Sequence, residues 1–212
     1  MVALLVLALA QTAPVSLVTC DADSDCFYVP VTHSSGRPPA LIVLSCVSAT
    51  RADLDSVRSV ADSLGWTFAT CHGPRNRRDS RSNDADIVRT ATKLLRRFNA
   101  DPNRLFVFGF SGMGVQALAS LCAHADLLRG VAATCAHRGG IEGADLSRLS
   151  DTKVLLRTRT EDLNRADNNL MYRLMRSAGV EAKLVTDSGP HSIGPRRELL
   201  EACRWLERAT GP

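Results

Sequence analysis

The chain has 212 residues, 45% of them hydrophobic and 23% charged, which is enough apolar material for one buried core and excludes a disordered tail, a collagen-like fibre and a coiled coil. Net charge is +4, from 26 basic and 22 acidic side chains, and only Lys93, Lys153 and Lys183 are lysines. So small and arginine-biased an excess does not make a nucleic-acid surface, and no apolar run reaches the roughly 18 residues of a membrane-spanning helix.

Residues 2–10 are an unbroken run of Val, Ala and Leu, ended by Gln11 and Pro14. The run has the length of a signal-peptide core, and Ala8-Leu9-Ala10 fits a small-residue cleavage site, although no basic residue precedes it. The expected organisation is therefore a signal peptide or leader over 1–13 and one domain over 14–212, secreted or periplasmic. If the run is instead a buried N-terminal strand, the protein is cytoplasmic.

After the leader, strand and helix patterns alternate almost without a gap. Residues 15–20 and 26–32 read as a hairpin, with Ser34-Ser35-Gly36-Arg37-Pro38-Pro39 as the following turn. Residues 41–46 form a short, wholly apolar strand of the kind buried on both faces. Leu54, Val57, Val60, Ala61 and Leu64 recur at helical spacing and Gly65 closes that helix. A strand over 66–71 leads into an arginine-rich loop over 72–83, read as solvated, and then into a helix carrying Ile87, Val88, Ala91, Leu94, Leu95 and Phe98. The pattern continues with a strand over 105–108, a helix over 114–123, and strands over 131–135 and 154–156. A helix over 167–178, a strand over 183–186 and a last helix from Pro195 to 206 complete it. Repeated βα units imply one mostly parallel sheet with helices on both faces. Only residues 72–83 and 136–152 are long enough to shape a pocket, so no large lid is expected and the site should be open.

The cysteines stand at 20, 26, 46, 71, 122, 135 and 203, with no C-x-x-C pair that would suggest a zinc ribbon or a thioredoxin motif. If the chain is exported, Cys20 and Cys26, on either side of Asp-Ala-Asp-Ser-Asp, are the first disulfide expected across the hairpin, and Cys46 with Cys71 the second. Single buried thiols acting as small apolar residues are the equal alternative.

In an open parallel sheet the working residues lie at the carboxyl ends of the strands. The stretch Phe106-Val107-Phe108-Gly109-Phe110-Ser111-Gly112-Met113-Gly114 runs an apolar strand into a helix through a glycine-rich turn with a serine at its tip. Such a turn exposes the hydroxyl and aims backbone N–H groups at the same point. A nucleophilic serine needs a base and an orienting acid. His191 follows the last strand, and Asp162 follows the strand over 154–156, with Glu161 as a rival acid and Glu142 and Asp145 less favoured. His33, His124 and His137 read as loop or helix-end residues, and His72 as the same or as a substrate contact. Gly112-x-Gly114-x-x-Ala117 also matches a loose dinucleotide fingerprint. It lies mid-chain rather than on the first βα turn, and no acid stands about 20 residues on to hold a ribose.

The chain order serine, acid, histidine is that of the α/β-hydrolases. Asp101-Pro102-Asn103-Arg104 before the strand, Gly109-Phe110-Ser111, the Asp162 loop, the turn Ala178-Gly179-Val180-Glu181 and a histidine ahead of the last helix together resemble serine esterases of that superfamily. The likeness is to the small polyhydroxybutyrate-depolymerase and feruloyl-esterase-like group, and it runs from about Phe27 to Leu206. It implies an α/β-hydrolase fold in a single domain and cleavage of a small or polymeric carboxylic ester through an acyl-enzyme, with no metal or organic cofactor. It assigns Ser111 as nucleophile, His191 as general base and then acid, and Asp162 as orienting acid. Oxyanion donors would be the amides of Gly112 and Val47, and Cys46, Phe110, Met113 and His72 are candidates to line a substrate pocket.

The sequence departs from the family pattern at two points. Met113 stands where G-x-S-x-G has its second glycine, so the elbow is expected to be crowded. Ser45-Cys46-Val47-Ser48-Ala49 stands where the family usually carries His-Gly and small residues. A catalytically silent binding module of the same fold, or a thioesterase or peptidase variant, are the alternatives these departures leave open.

Overall fold

The computed structural model describes residues 16–31 and 36–208. The expected leader, Val15 and Thr32 at the ends of the expected hairpin, His33, Ser34 and Ser35 lie outside them. The hairpin pairs β1 (Leu17–Cys20) with β2 (Cys26–Val29) in a register that sets Cys20 opposite Cys26, and the two are joined by a disulfide. Then come β3 (Ala40–Val43), α1 (Arg51–Leu64), β4 (Thr67–Thr70), α2 (Ser80–Arg97), β5 (Leu105–Phe110) and α3 (Gly112–Ala123). The chain continues with β6 (Gly130–Thr134), two short 3₁₀ turns, β7 (Lys153–Glu161), α4 (Arg165–Ser177), β8 (Glu181–Pro190) and α5 (Arg196–Glu207).

All eight strands join one sheet in the order β1-β2-β4-β3-β5-β6-β7-β8. Strand β2 runs antiparallel to both of its neighbours, β1 and β4, and every pair from β4 across to β8 is parallel. The central strands are apolar on both faces because each face carries helices. Leu41, Phe68, Phe106 and Phe108 pack against Leu54 and Val60 of α1 and Leu199, Cys203 and Leu206 of α5. Alternate residues of the same strands, Ile42, Leu105 and Val107, meet Ile87 and Leu94 of α2, Leu118 and Leu121 of α3, and Met171 and Met175 of α4. The period-2 alternation of the strands thus sorts one sequence into two cores. Helix α1 starts at a capping box, in which the Thr50 side chain accepts from the Asp53 N–H and the Asp53 carboxylate from the Thr50 N–H; it ends on Gly65 at φ +68°.

Several elements differ from their sequence expectation. Helix α2 begins at Ser80, inside the segment read as a loop to 83, because Asp79 caps it by accepting from the Arg81 and Ser82 N–H groups. Strands β7 and β8 run well beyond 154–156 and 183–186. The extension of β7 carries Arg157, Thr158 and Arg159, all buried; the arginines form ion pairs with acids of β8 and α5, and Thr158 hydrogen-bonds Asp162. Pro195 caps α5 rather than opening it. The second expected disulfide is absent: Cys46 and Cys71 are both free. Cys71 is buried against Thr90, whereas the Cys46 thiol donates to the Phe110 carbonyl at 3.2 Å, so the two sulfurs serve different neighbours. No inserted lid lies over the sheet among the described residues.

Candidate active site

Three loops at the carboxyl end of the sheet bring Ser111, Asp162 and His191 together. Ser111 stands between β5 and α3 with φ +53° and ψ −124°, a conformation non-glycine residues rarely adopt. Holding it there costs about 1–3 kcal/mol, and the surroundings fix it: the Ser111 N–H donates to the Thr134 carbonyl of β6 at 2.8 Å, and its own carbonyl accepts from Val115 in the first turn of α3. The glycines explain how strand and helix come so close. A Cβ on Gly109 would lie 2.2 Å from the Met113 carbonyl oxygen, and one on Gly114 would lie 3.0 Å from the Gly109 oxygen and 3.2 Å from the Ala136 methyl.

That geometry corrects the expectation for Met113. The close approach falls at Gly109 and Gly114, while the Met113 side chain turns into the apolar core on the α2–α4 side and is only 3% exposed. The elbow is not displaced, and Met113 is a core residue with no face left for a substrate.

The His191 ring has Nε2 2.9 Å from the Ser111 hydroxyl and Nδ1 2.7 Å from Asp162 Oδ1. Nδ1–H donates to the carboxylate, which leaves Nε2 free to accept from the serine. Phe110 packs against the same ring with centroids 4.9 Å apart. The Asp162 side chain is fully buried and richly supplied with donors: Thr158 Oγ1 at 2.6 Å and the Asn164 N–H at 3.0 Å, besides the histidine and the Cys135 thiol. Burial works against the ionised form, but these hydrogen bonds outweigh it and hold the carboxyl below its ordinary range. Glu161, the rival acid, is exposed at the end of β7 and has no part in this arrangement.

Two backbone donors face no acceptor of their own. Gly112 is the first residue of α3, so its N–H has no partner within the helix, and the Val47 N–H has no backbone acceptor among the described residues. Without the family's glycines, the Val47 turn is held by other means. Ser48 adopts φ +77° with its N–H on the Ser45 carbonyl, Cys46 donates through sulfur to Phe110, and the Cys46 carbonyl accepts from the Asn76 N–H at 3.0 Å. His72 joins this support: its Nδ1 lies 3.0 Å from the Ala49 carbonyl and its N–H donates to Asp25. The ring thus ties the turn down from behind.

Asn76 was not legible in the sequence. Its exposed side chain lies over Gly112, where an added Cβ would be 2.2 Å from Asn76 Oδ1. The glycine after the serine is the only sequence sign of it.

The loops that carry the site also carry exposed apolar side chains. Val47, Leu163 and Ile193, each within two residues of a site residue or itself one, are 82%, 79% and 51% exposed. A cavity of about 140 Å³ lies instead beneath residues 193–196, lined by Val57, Phe108, Leu155, Arg157 and Leu199; neither Ser111 nor His191 lines it.

Two groups of side chains have metal-ligating types. Cys135, Asp162 and His191 place ligand atoms within 4.8 Å of one another, but they are hydrogen-bonded together, and burial pushes the Cys135 thiol up to about 12, so it stays protonated at neutral pH. Asp21, Asp23 and Asp25 form the second group, and the Lys93 ammonium sits among them at 2.7, 2.7 and 3.0 Å. No helix among the described residues is long and apolar enough to cross a membrane.

No protein-family model matches the sequence, and no curated protein matches it. Solved structures do match. A ferulic acid esterase superposes with a TM-score of 0.73 at 13% identity, covering 93% of this chain and 98% of that one. A hyperthermophilic esterase from the archaeon Pyrobaculum calidifontis gives 0.71 at 13% identity over 86% and 78%. A fluorophosphonate-binding serine hydrolase of Staphylococcus aureus gives 0.70 at 12% identity over 92% and 98%. At such identities the likeness is one of architecture, and with the eight-stranded sheet and its two helical layers it places this chain in the α/β-hydrolase fold.

Proposed function

We propose that the chain is a serine hydrolase that cleaves a carboxylic ester through an acyl-enzyme. The observation that carries this reading is the continuous hydrogen-bond line from Ser111 through His191 to Asp162, at 2.9 and 2.7 Å, in a turn whose backbone is bent to present the serine. The esterases among the structural neighbours support it. Ser111 Oγ attacks the carbonyl carbon while its proton passes to His191 Nε2. Asp162 keeps Nδ1 protonated and stabilises the imidazolium, and the Gly112 and Val47 amides receive the oxyanion. Collapse of the tetrahedral intermediate breaks the bond to the alcohol oxygen, which takes the proton from Nε2. Water then attacks the acyl group along the same path and frees Ser111.

The exposed apolar side chains Val47, Leu163 and Ile193 on the site-bearing loops, with Phe110 beside the histidine ring, fit an apolar acyl or alcohol moiety. The Cys20–Cys26 bond is of the kind that persists in oxidising compartments, and it supports a secreted or periplasmic location.

The test is turnover of p-nitrophenyl acetate, butyrate and octanoate beside a thioester and an anilide. The expected result is a burst of p-nitrophenol followed by slower steady hydrolysis of the esters, with Ser111→Ala reducing kcat on the order of 10⁶-fold. A folded protein that hydrolyses none of these, or whose Ser111→Ala variant keeps the rate, contradicts the reading.

A further inference from the structure

His191 lies on the segment between the end of β8 and the start of α5, and that segment has little regular structure of its own. Residues 191–195 are irregular, and Gly189 and Gly194 adopt φ +111° and +80°. What holds this segment is a buried guanidinium from the neighbouring strand. Arg159 of β7 is 3% exposed. Its Nη1 donates to Asp187 on β8 and to Glu198 on α5, both at 3.0 Å; its Nη2 donates to the other Glu198 oxygen at 2.6 Å. Its Nε reaches the Ser192 carbonyl, next to the histidine, at 3.4 Å. One planar group therefore grips the His191 segment before, within and after the histidine.

The fit is close enough to dictate a glycine. A Cβ on Gly194 would lie 2.2 Å from both Arg159 Nη2 and Glu198 Oε2. Arg157, two residues earlier on the same face of β7, pairs with the same Glu198 at 3.0 Å and with Glu201 at 3.0 Å, so the acceptor carboxylate is itself fixed. The residue between the two arginines, Thr158, holds the far oxygen of Asp162 at 2.6 Å. The extension of β7 thus supports two members of the site at once, the acid through Thr158 and the histidine segment through Arg159.

We infer that Arg159, through its fork on Glu198 and its bond to Asp187, is a positioning residue for His191: it sets where the imidazole stands between Ser111 and Asp162. This rests on the proposed hydrolase reading. Its chemistry needs a planar, multiply donating cation, and lysine supplies only a point charge. A catalytic group moved by about 1 Å loses on the order of 10²-fold in rate.

The experiment compares the wild-type protein with Arg159→Lys and Glu198→Gln, with Asp187→Asn as the mildest variant should either of the others fail to fold. It reads three things on protein of unchanged circular dichroism: kcat and KM for p-nitrophenyl butyrate, the rate of Ser111 phosphonylation, and the low-field Nδ1 proton resonance of His191. The expected result is a fall of about 10- to 100-fold in kcat and in phosphonylation, KM within about twofold, and a broadened or lost Nδ1 resonance. Asp187→Asn, which keeps the Glu198 fork, should lose least. Folded variants with wild-type kcat and an undisturbed resonance would overturn the inference and leave Arg159 a purely structural ion pair. If the wild-type protein forms no Ser111 adduct, the hydrolase reading falls, whereas the resonance still decides whether Arg159 places the ring.

Discussion

Asp162 and Met113 show how differently two residues of one site read from sequence. Position after a strand and chain order narrowed the acid to Asp162 with Glu161 as rival, and the structure puts the Asp162 carboxylate 2.7 Å from the His191 ring while Glu161 stays exposed. Under the proposed mechanism, replacing Asp162 with asparagine removes the anion that would stabilise the imidazolium and offers an amide that can impose the wrong tautomer. A fall in kcat on the order of 10⁴-fold is expected, with KM little changed, as measured by steady-state hydrolysis of a p-nitrophenyl ester. Met113 misled because the sequence motif counts positions, whereas the fold counts contacts. The tight contact is between Gly109 and Gly114, and the residue between Gly112 and Gly114 is free to be large so long as it is apolar. Restoring the family glycine with Met113→Gly should therefore harm the protein. Loss of a buried methionine and a glycine in the first turn of α3 should together cost about 3–5 kcal/mol in urea unfolding, with no gain in kcat. A stable, faster Met113→Gly enzyme would show that the side chain does crowd the elbow.

At the level of elements, helices and central strands followed their apolar periodicity, and the misses fall at polar residues whose partners or caps carry no apolar signal. Strand β7 runs past 156 through Arg157, Thr158 and Arg159, where no apolar run continues to mark it. Nothing local announces that their partners Asp187, Glu198 and Glu201 arrive from β8 and α5. Helix α2 begins at Ser80, ahead of its first apolar repeat, because Asp79 caps it within an arginine-rich stretch. Asn76 escaped altogether, since its contact with Gly112 joins loops from different strands. The hairpin, in contrast, was readable because the acidic turn between two strand-prone runs is local; its Cys20–Cys26 bond stood level in the sequence with free thiols, and the structure decides for the bond. In the chain-entropy view, a bond closing so short a loop contributes about 2 kcal/mol. The Cys20→Ser/Cys26→Ser variant should lose about that much, in part offset by the Lys93 contacts that tie the same turn to α2. Urea unfolding of the two proteins side by side checks this, and equal stability would mean that the lysine anchor suffices. The elbow is more sensitive: Gly109→Ala drives a methyl into a backbone oxygen that cannot swing aside, so Ser111 phosphonylation should slow at least about 10-fold.

Across the whole molecule, acid stability should follow the depressed carboxyls. Asp86, Asp101, Asp162 and Glu198 are partly or fully buried, which opposes ionisation, yet arginines and hydrogen bonds outweigh that and lower each below its ordinary 3.8 or, for the glutamate, 4.5. A carboxyl lowered in the folded state adds stability that is fully present above its unfolded value and is lost as pH falls through its folded value. Unfolding free energy should therefore hold level from neutrality to about pH 5 and decline below about pH 4; a rise on acidification would contradict the ion-pair assignments. That the chain forms one mostly parallel sheet was legible from alternation alone. The two cores and the neighbour each strand takes were not, because side-chain periodicity records faces and not neighbours.

The measurement that bears most directly on the activated serine is labelling with a fluorophosphonate probe, with the adduct located by mass spectrometry on the wild-type protein, Ser111→Ala, His191→Ala and Asp162→Asn. A single adduct on Ser111, absent in Ser111→Ala and much slower in the other two, is the result expected from the 2.9 and 2.7 Å contacts. A folded protein that takes no label, or takes it on another residue, would contradict the account and leave an α/β-hydrolase fold whose Ser111, His191 and Asp162 do no acyl chemistry.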